Sequence, residues 1–383
     1  MPASNDLHFD QAITMGNVEF ALNAYAGLRS RAGNLFFSPY SIMSALAMTY
    51  AGARGETQSQ MAAALGLPSD QARAHAGFGA LNSRLNRESQ GRPYQLMIAN
   101  ALWGARGARF RSDFLETVET AYGGKLGELD FARAPEAARA TINQWVETRT
   151  AGKIKELLAR DAIAPDMLLV LTNAIYFKAN WADQFEGRLT KNSDFRLANG
   201  QTVNVPLMLH TSTVRYVEED DFQAVELPYE QNELGMIVLL PGRVDGLPAL
   251  EKSLTAEKLS KTISGLNFKQ VAVQLPRFKL AESLELSKLL SGLGMRLAFS
   301  SNADFTGMAE MKDVFFSTVI HKAYIDVGEK GTEAAAATAV AMRSVGFIRN
   351  EIGFRADHPF LFVIRENSTG TILFIGRVSN PLI

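Results

Sequence analysis

The stretch MLLVLTNAIYF, from Met167 to Phe177, sets the strongest condition on the fold. It is too short to cross a bilayer, which takes about 20 residues, and it lacks the apolar and polar alternation of a strand with one wet face. A run of this kind is satisfied as a strand buried on both faces, so the chain must supply covering layers on either side of a sheet. Ala12 to Leu28 has helical spacing, and Ser38-Pro39 ahead of the apolar run Ile42 to Tyr50 is the start signal of a second helix. Ser112 to Tyr122 and Pro135 to Thr150 read as further helices, and Gln95 to Trp103 as a strand. Beyond Phe177 the texture changes. Val214 to Val217, Gln223 to Leu227, Gly235 to Leu240 and Val271 to Leu275 are strand-like runs separated by Gly, Pro, Asn and Asp. A helical interlude is expected from Leu284 to Leu293, and Phe360 to Ile364 with Thr371 to Ile375 flank ENSTG as a terminal hairpin. The pattern is α+β: large mixed sheets among helices, without a repeat of about 20 to 50 residues.

Nothing divides the chain. Its 383 residues, 47% hydrophobic and 21% charged, include no Pro/Gly/Ser-rich linker, charge block or low-complexity run, so one domain over residues 1–383 is expected. Thirty-nine basic against 40 acidic residues give a formal charge of -1, which offers no broad footprint for nucleic acid or an anionic membrane. Cysteine is absent, which removes disulfide frameworks, thiolate nucleophiles and zinc-thiolate sites. The start MPASNDLHFDQAITMGNVEF has neither the basic residues nor the apolar run of a signal peptide. The compartment stays open: extracellular if such a peptide has been removed, otherwise cytoplasmic.

Common enzyme signatures are missing: no G-x-S-x-G elbow, phosphate loop, H-E-x-x-H or G-x-G-x-x-G occurs. The histidines His8, His75, His210, His321 and His358 lie far apart with no metal-ligand spacing, and no cofactor is implied. The most unusual stretch is Glu329 to Thr338, EKGTEAAAAT, followed by AVAMRSVGFIRNEIGF. Its composition favours a helix, because alanine is the best helix former. Three features argue for an insertable strand. Gly331 permits unusual backbone angles. No proline occurs between Glu329 and Ala356, so every residue can donate to a ladder. In an extended chain Thr332, Ala334, Ala336, Thr338, Val340 and Met342 share one uncharged face, with Glu333 and Arg343 on the other.

On these residues the chain resembles the serpin family. HKAYIDVGEKGTEAAAATA looks like the serpin hinge, comprising Glu329, Lys330, Gly331, Thr332, Glu333, Ala334, Ala335, Ala336, Ala337 and Thr338, with Gly328 where the family often has Asn. NLFFSPYSIMSALAMTYAGARGET is similar to the shutter-region helix, with Ser38 and Ser41 as its serines. TINQWVETRTAGKIKELL resembles the helix across the main sheet, and LTNAIYFKANWADQFE the strand that leads to the breach, with Asn173 at the shutter and Trp181 at the top of the sheet. LPRF, LGMRLAF and ADHPFLFVIRENSTGTILFIGRVSNP fit the remainder in order. Read without the family, Ser38 and Ser41 are ordinary helix-start residues, His321 a satisfied core histidine and Trp181 a core aromatic.

The resemblance implies the serpin fold: mixed β-sheets A, B and C surrounded by about nine helices, with an exposed reactive-centre loop within residues 329–353. It implies that Asn173 and His321 hydrogen-bond beneath the parting strands. It also implies a monomeric suicide inhibitor, not an enzyme, that forms a covalent complex with a serine protease and carries a hazard of loop-sheet polymerisation. The family's usual spacing from Gly331 places the cleaved bond between Val345 and Gly346, which suits an elastase-like or subtilisin-like protease. A bond between Arg343 and Ser344 would instead suit a trypsin-like one. A non-inhibitory carrier or chaperone is the alternative, against which stand Thr332 and the uninterrupted alanines. Heparin dependence would want clustered basic residues near 73 to 92, where Arg73, Arg84, Arg87 and Arg92 are spaced as a solvated face. Heparin activation is not expected.

Overall fold

The computed structural model describes residues 10–85, 94–310, 314–332 and 352–383. Among them the α-helices are α1 (Gln11–Leu28), α2 (Pro39–Tyr50), α3 (Gly55–Leu65), α4 (Gln71–Leu85), α5 (Ser112–Tyr122), α6 (Pro135–Arg149), α7 (Leu247–Ser253), α8 (Ala256–Gly265) and α9 (Ser287–Gly292). The strands are β1 (Leu35–Phe37), β2 (Tyr94–Ala105), β3 (Lys125–Leu129), β4 (Leu169–Asn180), β5 (Lys191–Arg196), β6 (Thr202–Glu218), β7 (Phe222–Pro228) and β8 (Leu234–Pro241). They continue with β9 (Asn267–Pro276), β10 (Phe278–Glu285), β11 (Thr318–Gly328), β12 (Gly331–Thr332), β13 (Ile352–Arg355), β14 (Phe360–Glu366) and β15 (Ile372–Val378).

The apolar run lies where its composition requires. β4 is the inner strand of a sheet ordered β10-β11-β12-β4-β2-β3. Its side chains alternate between two cores. Val170 and Ala174 join Trp103 and, from α6, Ala138, Ile142 and Val146 on one face. Leu169, Leu171, Ile175 and Phe177 join the main core on the other. Thr172, the polar interruption, is satisfied: its hydroxyl accepts from Trp103 Nε1 at 2.9 Å and donates to the Ala101 carbonyl at 3.2 Å.

α2 starts as its sequence dictates. Ser38 is the N-cap, its hydroxyl accepting from the Ser41 N–H, and Pro39 takes the first helical position, where no N–H is needed. Every α2 residue is buried, and its Ser and Ala positions let the helix run close beneath β4 and β15. The second sheet is ordered β1-β15-β14-β8-β7-β6-β9-β13, with β5 also on β6. The long β6 unites the sheets B and C expected from the resemblance, pairing with β5 through its first residues and with β7 through its last. The terminal hairpin β14–β15 forms as expected and lies near one edge of this sheet, between β1 and β8.

One expected element is corrected. Leu284 does not begin a helix: β10 continues through Glu285, with Leu284 opposite His321 of β11, and α9 is confined to Ser287–Gly292. Burial decides this, since Phe278, Leu280 and Leu284 all point inward at even spacing along β10.

A buried ion pair ties the C-terminal strand to α1 and α7. Arg377 of β15 donates to Glu251 at 2.8 Å, to the Arg29 carbonyl at 2.9 Å, to the Gly33 carbonyl at 2.8 Å and also to the Arg31 carbonyl. Tyr25 completes the set by donating to Glu251 at 2.6 Å. Both ionic side chains are 6% exposed. Arg377→Met leaves the carboxylate of Glu251 buried without its counter-charge and should cost about 3–5 kcal/mol. A urea-denaturation midpoint measures the loss, and the double variant Arg377→Met/Glu251→Leu should recover part of it.

Candidate functional site

β11 and β4 are parallel neighbours from Thr318/Val170 to Tyr324/Tyr176. At one end they diverge, and Gly331–Thr332 lies between them, antiparallel to both, with Gly331 opposite Asn180 and Gly328, and Thr332 opposite Ala179 and Val327. The middle of this seam and its open end have different chemistry.

Mid-sheet, a polar row crosses three strands in register: His321 on β11, Asn173 on β4 and Asn100 on β2. The Ser38 N–H donates to His321 Nε2 at 3.1 Å, so Nε2 is the acceptor and Nδ1 carries the proton, which it gives to Asn173 Oδ1. Asn173 Nδ2 in turn donates to Ser41 Oγ at 2.6 Å, to the Ser41 carbonyl at 3.0 Å and to Asn100 Oδ1. Ser38 Oγ donates to the Leu373 carbonyl at 2.6 Å, which links the row to β15. Complete burial pushes the His321 imidazole down to about 3. The charged form would also turn Nε2–H against the Ser38 N–H.

At the open end, Gly331 adopts φ 147°, and a Cβ there would collide with the Ala179 carbonyl oxygen, so close approach and backbone angle both demand glycine. Thr332 is fully buried, its hydroxyl 2.8 Å from that of Tyr229. Tyr229 stacks on Trp181 with ring centroids 4.5 Å apart. Trp181 Nε1 donates to the Gly328 carbonyl at 2.9 Å, and the backbone N–H groups of Trp181 and Phe185 donate to the carbonyls of Lys330 and Glu329 at 2.8 and 2.9 Å. Glu329 accepts from Arg277 Nε at 2.8 Å and from Thr190 Oγ1 at 2.6 Å. Burial alone would raise its carboxyl, but these two partners hold it below the usual carboxylate range.

The structure therefore brings Ser38, Ser41, Asn173 and His321 into one network, and Trp181, Glu329, Lys330, Gly331 and Thr332 into another. Glu333, Ala334, Ala335, Ala336, Ala337, Thr338, Arg343, Ser344, Val345 and Gly346 lie outside the described residues. Sequence reasoning missed Asn100, Tyr229, Thr190 and Arg277. Arg277 stood in the quoted LPRF, and Asn100 was a polar residue inside a strand-like run, but neither showed its partner. The solvated-face reading is corrected at Arg84, which binds the buried Glu366 at 2.7 Å. The hairpin turn brings Glu366 to α4, which spacing along the helix could not reveal. Arg73 pairs with Asp10 on the surface, and Arg87 and Arg92 lie outside the described residues.

The family model described as Serpin (serine protease inhibitor) matches residues 15–381. Leukocyte elastase inhibitors of Bos taurus and Homo sapiens are 43% and 42% identical over 381 and 382 residues, each alignment covering 97% of this chain and 100% of the relative. The crystal structure of a serpin from the insect Tenebrio molitor is 30% identical and superposes with a TM-score of 0.89, covering 97% of this chain and 99% of that one.

His321 generates a pH prediction. Its imidazole titrates at 6.5 in the unfolded chain and near 3 when folded, so below pH 6.5 the unfolded state takes up the proton first. Stability should fall by about 1.4 kcal/mol per pH unit as pH drops through that window. His75, pushed down to about 4 by burial, adds a loss of the same sign. His321→Gln, which cannot titrate, should be less stable at pH 7 yet lose less between pH 6.5 and 4 than the parent chain in urea denaturation.

Proposed function

The chain belongs to the serpin family, and we propose that it inhibits elastase-like serine proteases as a suicide substrate, with residues 329–353 as the hinge and cleavable loop of one domain spanning 1–383. The observation that carries this reading is the seating of Gly331 and Thr332 between β11 and β4. The relatives named as leukocyte elastase inhibitors support the target class.

The protease's serine oxygen attacks the Val345 carbonyl, the Val345–Gly346 bond breaks, and the departing amine carries off a proton. Val345 is left as an ester on the protease. The freed segment then continues the strand that Gly331 and Thr332 begin. Extending β12 replaces one parallel contact with two antiparallel ones, the pairing that is more stable per residue. Each ladder hydrogen bond contributes about 1 kcal/mol net, against about 1–2 kcal/mol per residue for fixing the backbone. Burial of Ala334, Ala336, Thr338, Val340 and Met342 in line with Thr332 tips the balance. Insertion must also part His321 from Asn173, so this buried bond resists opening until cleavage releases the loop. The uncleaved chain is then kinetically stable rather than at its lowest free energy.

Valine at the cleaved position suits a small apolar primary pocket. The trypsin-like alternative through Arg343 and the carrier alternative share the fold and differ in what a protease leaves behind. Heparin has no part in the proposed activity.

Incubation with neutrophil elastase should yield an SDS-stable complex and a released peptide that begins at Gly346, read by gel and mass spectrometry. A peptide starting at Ser344 would reassign the cut to Arg343, and cleaved chain without complex would refute inhibition. Thr332→Arg would have to bury a guanidinium beside Tyr229, so it should shift the products from complex to cleaved chain. A chain nicked within the loop should melt at a higher temperature than the intact one, and an unchanged melting temperature contradicts insertion. Prolonged mild heating of intact chain should give polymers by native gel, because the seam can take a neighbour's loop.

A further inference from the structure

Beside the segment that holds the hinge lies a cavity of about 290 Å³. Trp181, Phe185, Val214 and Leu227 supply apolar lining. Thr213 lines it with its hydroxyl bonded to Gln270 at 3.0 Å, and three further polar side chains join: Asp183, His210 and Ser212. His210 and Ser212 are two apart on β6 and so share a face. Ser212 is only 8% exposed, and neither its Oγ nor His210 Nε2 has a hydrogen-bond partner among the described residues. Asp183 Oδ2 is 3.7 Å from that imidazole nitrogen, too far for a hydrogen bond. Buried polar atoms without partners are uncommon, and each calls for an explanation. The proposed insertion uses none of these three groups.

We propose that this cavity binds a small aromatic amine, and that occupancy changes how firmly the hinge is held. The second half rests on the reading of residues 329–338 as a hinge. Size selects a single ring, since a dry cavity of about 150 Å³ already accommodates benzene and a two-carbon amine adds modest volume. Charge selects a cation. Asp183 is a carboxylate at an exposed position, the imidazole and the hydroxyls of Ser212 and Thr213 are the other acceptors, and among the described residues no lysine or arginine lines the site. The aromatic rings of Trp181 and Phe185 in the lining suit a ligand that carries a ring of its own. The link to the hinge is direct: Trp181 and Phe185, which line the cavity, donate the backbone bonds to Lys330 and Glu329. A ligand that shifts this segment must load or relax those bonds.

Calorimetric titration with 2-phenylethylamine tests the site, with phenylacetate as a match in shape of opposite charge. One saturable site is expected for the amine and none for the acid. Asp183→Asn should weaken binding at least about tenfold, the loss expected for a charge-assisted bond, and Val214→Phe should abolish it by filling the cavity. No saturable binding, equal binding of the acid, or amine binding unchanged in Asp183→Asn would overturn the proposal. Because Asp183 is largely exposed, that variant remains decisive if Val214→Phe fails to fold. The chain has no cysteine, so Ala334→Cys accepts a single environment-sensitive dye. Its emission should shift along the same binding curve, and a silent dye with intact binding would overturn the coupling. No protease enters either readout, so failure of the inhibitor reading and failure of this site are told apart.

Discussion

The parallel contact between β11 and β4 is the constraint around which the molecule is arranged. Their neighbours β10 and β2 run antiparallel to them, which leaves this seam as the weaker pairing at the centre of the sheet. A short strand antiparallel to both already occupies its open end. The geometry of a further strand is thus present before any of the chain beyond Thr332 is considered.

Two chemistries govern the seam. Mid-sheet, closure depends on buried neutral hydrogen bonds, His321 to Asn173 and Asn173 onward to Ser41 and Asn100, where a half-satisfied network would be worse than an apolar one. At the open end, closure depends on an aromatic pair, Trp181 on Tyr229, and on backbone bonds to Glu329 and Lys330. The first is sensitive to protonation and to side-chain identity. The second is set mainly by packing and by the chain path through Trp181 and Phe185.

Much of this was legible along the chain and some was not, for reasons that particular residues make plain. Ser38-Pro39 announced α2 because capping is local: the N-cap hydroxyl and the N–H that donates to it lie three residues apart. Met167 to Phe177 announced a doubly covered strand because burial on both faces leaves no polar alternation. Leu284 misled because a short apolar run fits either period, and its pairing with His321 is 37 positions away in sequence order as register, not pattern, decides. Arg84 misled in the same way, since its partner Glu366 is separated from it by 282 positions.

The sequence by itself determined the α+β class, the start of α2 and the central place of β4, and marked Gly331 as a residue free to take unusual backbone angles. These depend on periodicity, capping and sterics, which act within a few residues. Only the tertiary structure decided that Asn100 joins His321 and Asn173, that Tyr229 receives Thr332, that Arg277 and Thr190 hold Glu329, and that a cavity opens behind Trp181. Those depend on register between distant strands, and hydrogen bonds of a few ångströms form only after the whole sheet has chosen its order.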